Sequence, residues 1–481
     1  MKEHRVVGIS QQNISLKKKH SLLFFILFPA LAMLLGWGLR GFIGGGPYGA
    51  MIPGAMVMLA ICMLLDIPCK FGAIAVAFGT VGIAMGGEMT YGQTLGFLRN
   101  PGTMWWGFAG TSLKGGVWGL TGGLFIGLGL VRQRINIKTI LTGFLIFLIA
   151  FVIGLKLIND PKILYFSNPF DRPRNESWAG LLFGAVGLLV YLKIKITAKA
   201  FRSISRFAWY GLIGGTLGFG PGSLWIAIGT QYGAHFLIVD WWKMMEFSFG
   251  LILGGFLGYA AWCSDDVHNN SDHKQPVTIN KSFAGELMLT IVLGFFIYGA
   301  MPVFESYVDM INKTEGIVFG SLATIGRVLV NFTCIGCLLI ITALRWPSLA
   351  FQIAVTLTFC HCMIDLVTDA NLFPALQSSA LLIAMIVTAA SFVISVLVAL
   401  FQRKQFVLKS MFLILVWSTM AVAIIRMLAH GIFLFPGGHS FIQIIIGDLF
   451  VFNVFVISAI IVSIMVVKNK AFQARVPGFL P

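Results

Sequence analysis

Apolar runs long enough to cross a bilayer recur along the whole chain, and this pattern more than any other limits what it can fold into. Between Ser21 and Val467 the runs are about 18 to 25 residues long, and a helix of that length spans roughly 30 Å of hydrocarbon. Hydrophobic residues make up 58% and charged residues 11%, against roughly a quarter charged in ordinary soluble domains. The short alternating segments of a membrane barrel are missing. The sequence therefore predicts an all-α polytopic membrane protein, multi-pass in a plasma or inner membrane. The first run follows a basic segment, MKEHRVVGISQQNISLKKKH, and continues into glycines without a small-x-small cleavage site. It reads as a retained helix and not as a cleaved signal.

About fourteen spans are expected, over 21–40, 49–66, 71–88, 107–131, 139–156, 177–193, 207–229, 242–263, 284–303, 318–343, 348–367, 376–400, 410–429 and 441–466. With the N-terminus inside, the inner segments collect Lys17, Lys18, Lys19, Lys70, Arg132, Arg134 and Lys138. They continue with Lys193, Lys195, Lys199, Arg202, Arg206, Arg403, Lys404, Lys409, Lys468, Lys470 and Arg475. The outer segments hold chiefly Arg99, Lys162, Arg172, Arg174 and Lys313. Lysine and arginine excess marks the cytoplasmic side, so both termini are expected there. The net charge of +16 is then mainly an orientation signal and a surface for anionic headgroups of the lipid bilayer. Basic residues dispersed over many short loops argue against nucleic acid as a partner.

The most polar stretch, Cys263 to Lys281, reads as a cytoplasmic linker (264–282). It separates a glycine-rich eight-helix unit (1–263) from a six-helix unit (283–481). Of the 55 glycines, 43 precede Cys263 and 12 follow it. Small residues allow close helix approach in lipid, so the first unit is expected to be the tighter. Within it, FGTVGIAMGGEMTYG (Phe78 to Gly92) aligns without gaps on FGPGSLWIAIGTQYG (Phe219 to Gly233). Both are followed by a Trp pair and then by GG, and YGAMIPGAMVML from Tyr48 resembles WAGLLFGAVGLL from Trp178. The offsets suggest a duplicated four-helix block, 21–131 and 139–263, with a site at the repeat interface. Shared glycine-rich composition is the competing explanation.

Ionisable groups in a bilayer mark functional sites by default. Here they gather towards the outer side. Arg40 and Glu88 fall at the outer ends of helices 1 and 3, while Lys114 and Glu246 each precede a GG pair by eight residues. Their equivalent positions suggest that Lys114 and Glu246 face each other; the alternatives are a structural pair or snorkelling. In the second unit the tight turn Arg345–Trp346–Pro347 places Arg327 level with Asp365 and Asn331 level with His361. Asp369 and Asn371 lie just beyond, and Arg426, His430, His439 and Asp448 add to the outer cluster. In the inner half almost nothing ionisable appears apart from Glu286. Ten residues are thus expected to line a polar pocket: Arg40, Glu88, Lys114, Glu246, Arg327, Asn331, His361, Asp365, Arg426 and Asp448.

Cys334-x-x-Cys337 and Cys360-His361-Cys362 invite a metal reading, but the two cysteine sets lie at different depths and read better as small buried hydrophobes. The linker residues Asp265, Asp266, His268, Asp272 and His273 read as a solvated loop. No Walker, H-E-x-x-H or G-x-S-x-G motif is present, so no cofactor and no metal are expected. The pattern points first to a permease for a small polar solute, with the arginines and Lys114 favouring an anion and the carboxylates offering sites for a coupling proton or sodium ion. The alternative is a membrane enzyme, a transferase or hydrolase at the outer leaflet acting on a lipid-linked or cell-envelope substrate. Its acid–base groups would be histidines and aspartates, and Lys156 to Trp178 its substrate-contacting loop. A third alternative is a scaffold whose charges serve only helix association.

Overall fold

The structure is a computed structural model that describes residues 20–170, 173–231, 239–264, 282–314, 325–404, 406–435 and 437–469, apart from the side chains of 312–314. The basic segment before His20, the linker from Asp265 to Lys281 and the C-terminal tail lie outside these residues. Among the described residues all regular structure is helical. Thirteen helices are long and apolar enough to cross a membrane. They are α1 (Leu22–Ile43), α2 (Gly46–Leu64), α3 (Cys69–Glu88), α4 (Met104–Leu130), α5 (Ile137–Asn159), α6 (Trp178–Lys195) and α7 (Ala198–Gln231). Then come α8 (Trp241–Trp262), α9 (Phe283–Ile311), α11 (Leu349–Val367), α12 (Ala380–Phe401), α13 (Val407–Ala429) and α14 (Phe450–Lys468). The fourteenth, α10 (Phe332–Arg345), has only 14 residues.

That short helix differs from the expected single span over 318–343, and the cause is local. Asn331 breaks the chain with extended backbone at φ −61° and ψ 136°, and its side chain accepts from Thr333 N–H as an N-cap. A turn of helix over 325–330 precedes it. α11 carries a second irregularity, a π-helical stretch over Gln352–Leu357, and such bulges are frequent at functional sites.

Two glycine zippers form the centre of the fold. Gly115, Gly119 and Gly123 recur every four residues on α4 and meet Gly211 and Gly215 of α7. A Cβ on Gly119 would sit 1.8 Å from the Gly211 carbonyl oxygen, and one on Gly215 would sit 2.0 Å from the Gly115 oxygen. On α8, Gly250, Gly254 and Gly258 press against α1 at Met33, Pro29 and Phe25, where added Cβ atoms would lie 2.1 to 2.5 Å from backbone oxygens. Lipid gives helices no hydrophobic drive to associate, so backbone proximity of this kind supplies the packing energy. The zippers join α4 to α7 and α1 to α8, interlocking the first four helices with the second four.

Burial falls outward from this centre. Almost all of α4 is buried and only a small part of α9 (94% against 17% over the apolar window), with α12 and α14 close to α9. On α5 the residues Leu141, Leu145, Ile149, Ile153 and Leu157 are exposed at four-residue spacing. Such an apolar stripe suits acyl chains and would be a liability in water.

Candidate functional site at the corner of α1 and α2

α1 ends where Gly44 N–H bonds to the Arg40 carbonyl at 3.1 Å. The chain then turns through Gly44 (φ +153°) and Gly46 (φ +69°), conformations that suit glycine. Pro47 lies in the first turn of α2, where its missing N–H costs nothing. The last carbonyls of a helix lack intrahelical partners and carry the negative end of its dipole. One cation meets that end, Arg426 donating to the Ile43 carbonyl at 3.3 Å, and Lys243 donates to the Gly38 carbonyl more than a turn earlier at 3.4 Å. Two carboxylates also press on it. Glu246 occupies the space a Gly41 Cβ would need, and Asp365 lies 2.8 Å from the place of a Gly44 Cβ. The glycines around Arg40 therefore make room for charged side chains arriving from α8 and α11.

Arg40 sits in the middle of this corner at 1% exposure. Its guanidinium lies 5.4 Å from the ring of Trp37, 5.4 Å from Tyr91 and 5.2 Å from Trp118. It donates to the Tyr91 hydroxyl at 2.5 Å and to the Gly46 carbonyl at 3.4 Å, and its Nε has no hydrogen-bond partner. The cage is braced: Trp118 donates to the Ile83 carbonyl at 2.7 Å and meets Trp37 edge-on at 4.8 Å. Among the described residues no carboxylate pairs with Arg40. Cation–π contacts of about 0.5–2 kcal/mol each offset part of the desolvation of such a charge, yet a buried cation ordinarily has a counter-ion.

The other two buried cations have theirs. Lys114 donates to Glu176 Oε1 at 2.7 Å, to the Thr90 carbonyl at 2.6 Å and to Thr94 Oγ1 at 2.8 Å, which uses all three ammonium protons. Glu176 also accepts from Ser167 Oγ at 3.0 Å and Phe166 N–H at 3.2 Å. Lys243 pairs with Glu246 at 2.5 Å, and Trp242 donates to the same carboxylate at 2.9 Å. The expected facing of Lys114 and Glu246 is thus incorrect: each has its own partner, Glu176 for Lys114 and Lys243 for Glu246. Glu176 was hidden in a loop outside every apolar run, whereas Lys243 precedes Glu246 by three residues, a spacing that brings side chains together on one helix face. The loop expected to contact substrate is folded down as a cap, with Thr94 donating to the Phe166 carbonyl at 2.9 Å and Ser177 to the Glu88 carbonyl at 3.0 Å.

The seam expected between Arg327 and Asp365 is also corrected. Arg327 is exposed. Asp365 pairs with Arg426, which also binds Asp369 at 2.7 Å, while His430 lies 3.9 Å from Asp369. The break at Asn331 ends the straight helix on which the equal-depth argument depended. Asn331 faces Glu88 in place of His361: Glu88 accepts from Asn331 Nδ2 at 3.2 Å and from Phe332 N–H at 2.5 Å. His361 stacks on Tyr298 at 6.3 Å and lies 5.8 Å from Tyr48. It is within electrostatic range of Arg40, and its Nε2 is buried without a partner. Asp448 pairs with His439 at 2.9 Å.

A polar cluster also stands at the opposite end of the bundle, about 35 Å away by the length of α13. Glu286 accepts from Gln352 Nε2 at 2.7 Å, from Gln402 and from Arg403 at 3.1 Å, and Gln352 in turn accepts from Thr356 at 2.6 Å and Ser395 at 3.1 Å. Glu286 alone was legible as a lone charge near a helix start; its partners come from two other segments, α11 and the end of α12.

All seven cysteines are free thiols, and among the described residues no group of three or more ligating side chains is arranged to hold a metal. A lipid-facing groove of about 610 Å³ runs along Phe295, Gly299, Val303 and Tyr307, and a cavity of about 250 Å³ is lined by Arg99, Thr230, Trp241 and Trp242. Neither reaches the Arg40 cage, which is closed in this conformation. Arg40 Nε and His361 Nε2 are among the buried side-chain polar atoms without a hydrogen-bond partner. No family model, curated protein or solved structure matches the chain.

Proposed function

We propose that the protein is a permease for a small anionic solute, with both termini cytoplasmic, and that Arg40 supplies the charge that recognises the solute. One observation carries the reading: of the three buried cations among the described residues, Lys114, Lys243 and Arg40, only Arg40 has no carboxylate. A buried guanidinium with free donor capacity is a site that an anion completes. His361, with its own open nitrogen, is the second contact. Arg426, Asp365 and Asp369 form the adjoining, partly exposed outer vestibule. The closed cage corresponds to a state in which the site is shielded from both sides, and turnover requires the α1–α2 corner to open.

The test is thermal stability of the purified protein titrated with inorganic phosphate, sulfate, acetate and succinate, each against a neutral analogue. At least one anion should stabilise the wild type and leave Arg40→Gln unmoved. Equal response of both proteins to every anion would remove Arg40 as the recognition group. A second reading, an outer-leaflet enzyme, draws on the His430–Asp369 approach at 3.9 Å, where the histidine side chain is 47% exposed. It requires product formation in detergent, without a sealed compartment.

A further inference from the structure

We propose that Glu88 is a proton-binding site that controls the attachment of α10 to the first eight helices, and that it serves as the coupling-proton site. The coupling role rests on the permease reading; the proton-controlled attachment does not.

Glu88 closes the helical turn at the end of α3. Its backbone is fixed: Ser177 donates to its carbonyl at 3.0 Å, and a Cβ on neighbouring Gly87 would sit 2.5 Å from the Gly46 oxygen. From this anchor the carboxylate reaches 244 residues along the chain to cap α10. Phe332 N–H donates to Oε1 at 2.5 Å and Asn331 Nδ2 to Oε2 at 3.2 Å. A charged capping group holds a helix N-terminus by charge-assisted hydrogen bonds and by the dipole. Among the described residues no cation pairs with Glu88. The titratable groups facing it are Tyr48 of α2 and Glu305 of α9, neither of them positive, and Asn331 and Ser177 are neutral.

Partial burial makes this contact consequential. Glu88 stands half-buried at the end of α3, where a carboxylate lacking a cation has two favourable states: ionised and clamped on the N–H groups, or protonated and neutral. When a proton adds to one carboxylate oxygen, the charge disappears and that oxygen becomes a donor, while the other oxygen still accepts. The two-point, charge-assisted clamp on Phe332 and Asn331 is reduced to one neutral hydrogen bond, while Gly336, whose added Cβ would lie 2.6 Å from Val81, still holds the middle of α10 on α3. Protonation therefore loosens the capped end of α10 and leaves the rest seated. Glu305, exposed beside Glu88, gives the proton its path from water.

The experiment is hydrogen–deuterium exchange of the full chain in lipid nanodiscs at about pH 5.5 and about pH 8, with rates corrected for the intrinsic effect of pH. In the wild type, amides of the first turn of α10 should exchange about tenfold faster at acid pH, and peptides from α4 should not change. Glu88→Gln, whose amide oxygen accepts as a neutral carboxyl does, should exchange at the acid-pH rate of the wild type at both values, with no step. Asn331→Ala should lower protection yet keep the step, and Glu305→Gln should keep it too. A step that persists in Glu88→Gln, or no step in the wild type, overturns the proposal. If Glu88→Gln loses α4 protection, Glu88→Asp decides: it retains a titrating carboxylate and should retain a step, and a flat profile overturns the proposal. No solute enters the experiment, so its failure is distinct from failure of the permease reading.

Discussion

The carboxylate of Glu246 occupies the place of a side chain on Gly41: a Cβ built there would fall 1.9 Å from Oε1 and 2.1 Å from Oε2. Glu246 is itself fixed by Lys243 and Trp242, so it cannot withdraw without leaving a buried charge unpaired. Gly41→Ala should therefore destabilise the protein by about 2 kcal/mol through overpacking. Gly45, four residues on, has nothing within 4 Å of the same added atom, and Gly45→Ala should be close to neutral. Thermal inactivation of the two variants in detergent compares them directly.

Lys114 and Glu176 form a saturated buried pair, each 1% exposed at the side chain. Lys114→Met strands the carboxylate and should cost about 3–5 kcal/mol. Adding Glu176→Gln should restore part of the loss, because the amide oxygen still accepts from Ser167 or Phe166 and no lone charge remains. A double-mutant cycle on thermal stability measures the coupling; strict additivity would refute the pairing.

Arg426 holds two aspartates, so neither is indispensable. Asp365→Asn and Asp369→Asn should each weaken the protein by about 1–2 kcal/mol, and the double variant should lose more than their sum. Arg327→Gln, on an exposed position, should change stability by less than about 0.5 kcal/mol. The same thermal assay reads all four.

How far the sequence led depends on the kind of feature. Helix positions were legible because each rests on a continuous apolar run, and α11 ends at Val367 as the run over 348–367 required. α10 was misread because Asn331 reads as one polar residue within an apolar run, and nothing in that run announces that its side chain caps a new helix at Thr333. The polar residues around the α1–α2 corner were legible as a set, since charge in an apolar run is conspicuous. Their partnerships were not: equal-depth reasoning assumed straight neighbouring helices, and no periodicity announces that Glu176 folds in from a loop or that Arg426 displaces Arg327. The aromatic cage was half visible, in Trp37 three residues before Arg40; Tyr91 and Trp118 arrive from other elements.

If the unpaired Arg40 recognises a transported anion, a radiolabelled anion that stabilises the purified protein should be taken up into sealed proteoliposomes by the wild type, little or not at all by Arg40→Gln with the fold intact, and in part by Arg40→Lys. Undiminished uptake by Arg40→Gln, or turnover of the same compound in detergent where no compartment exists, would contradict it.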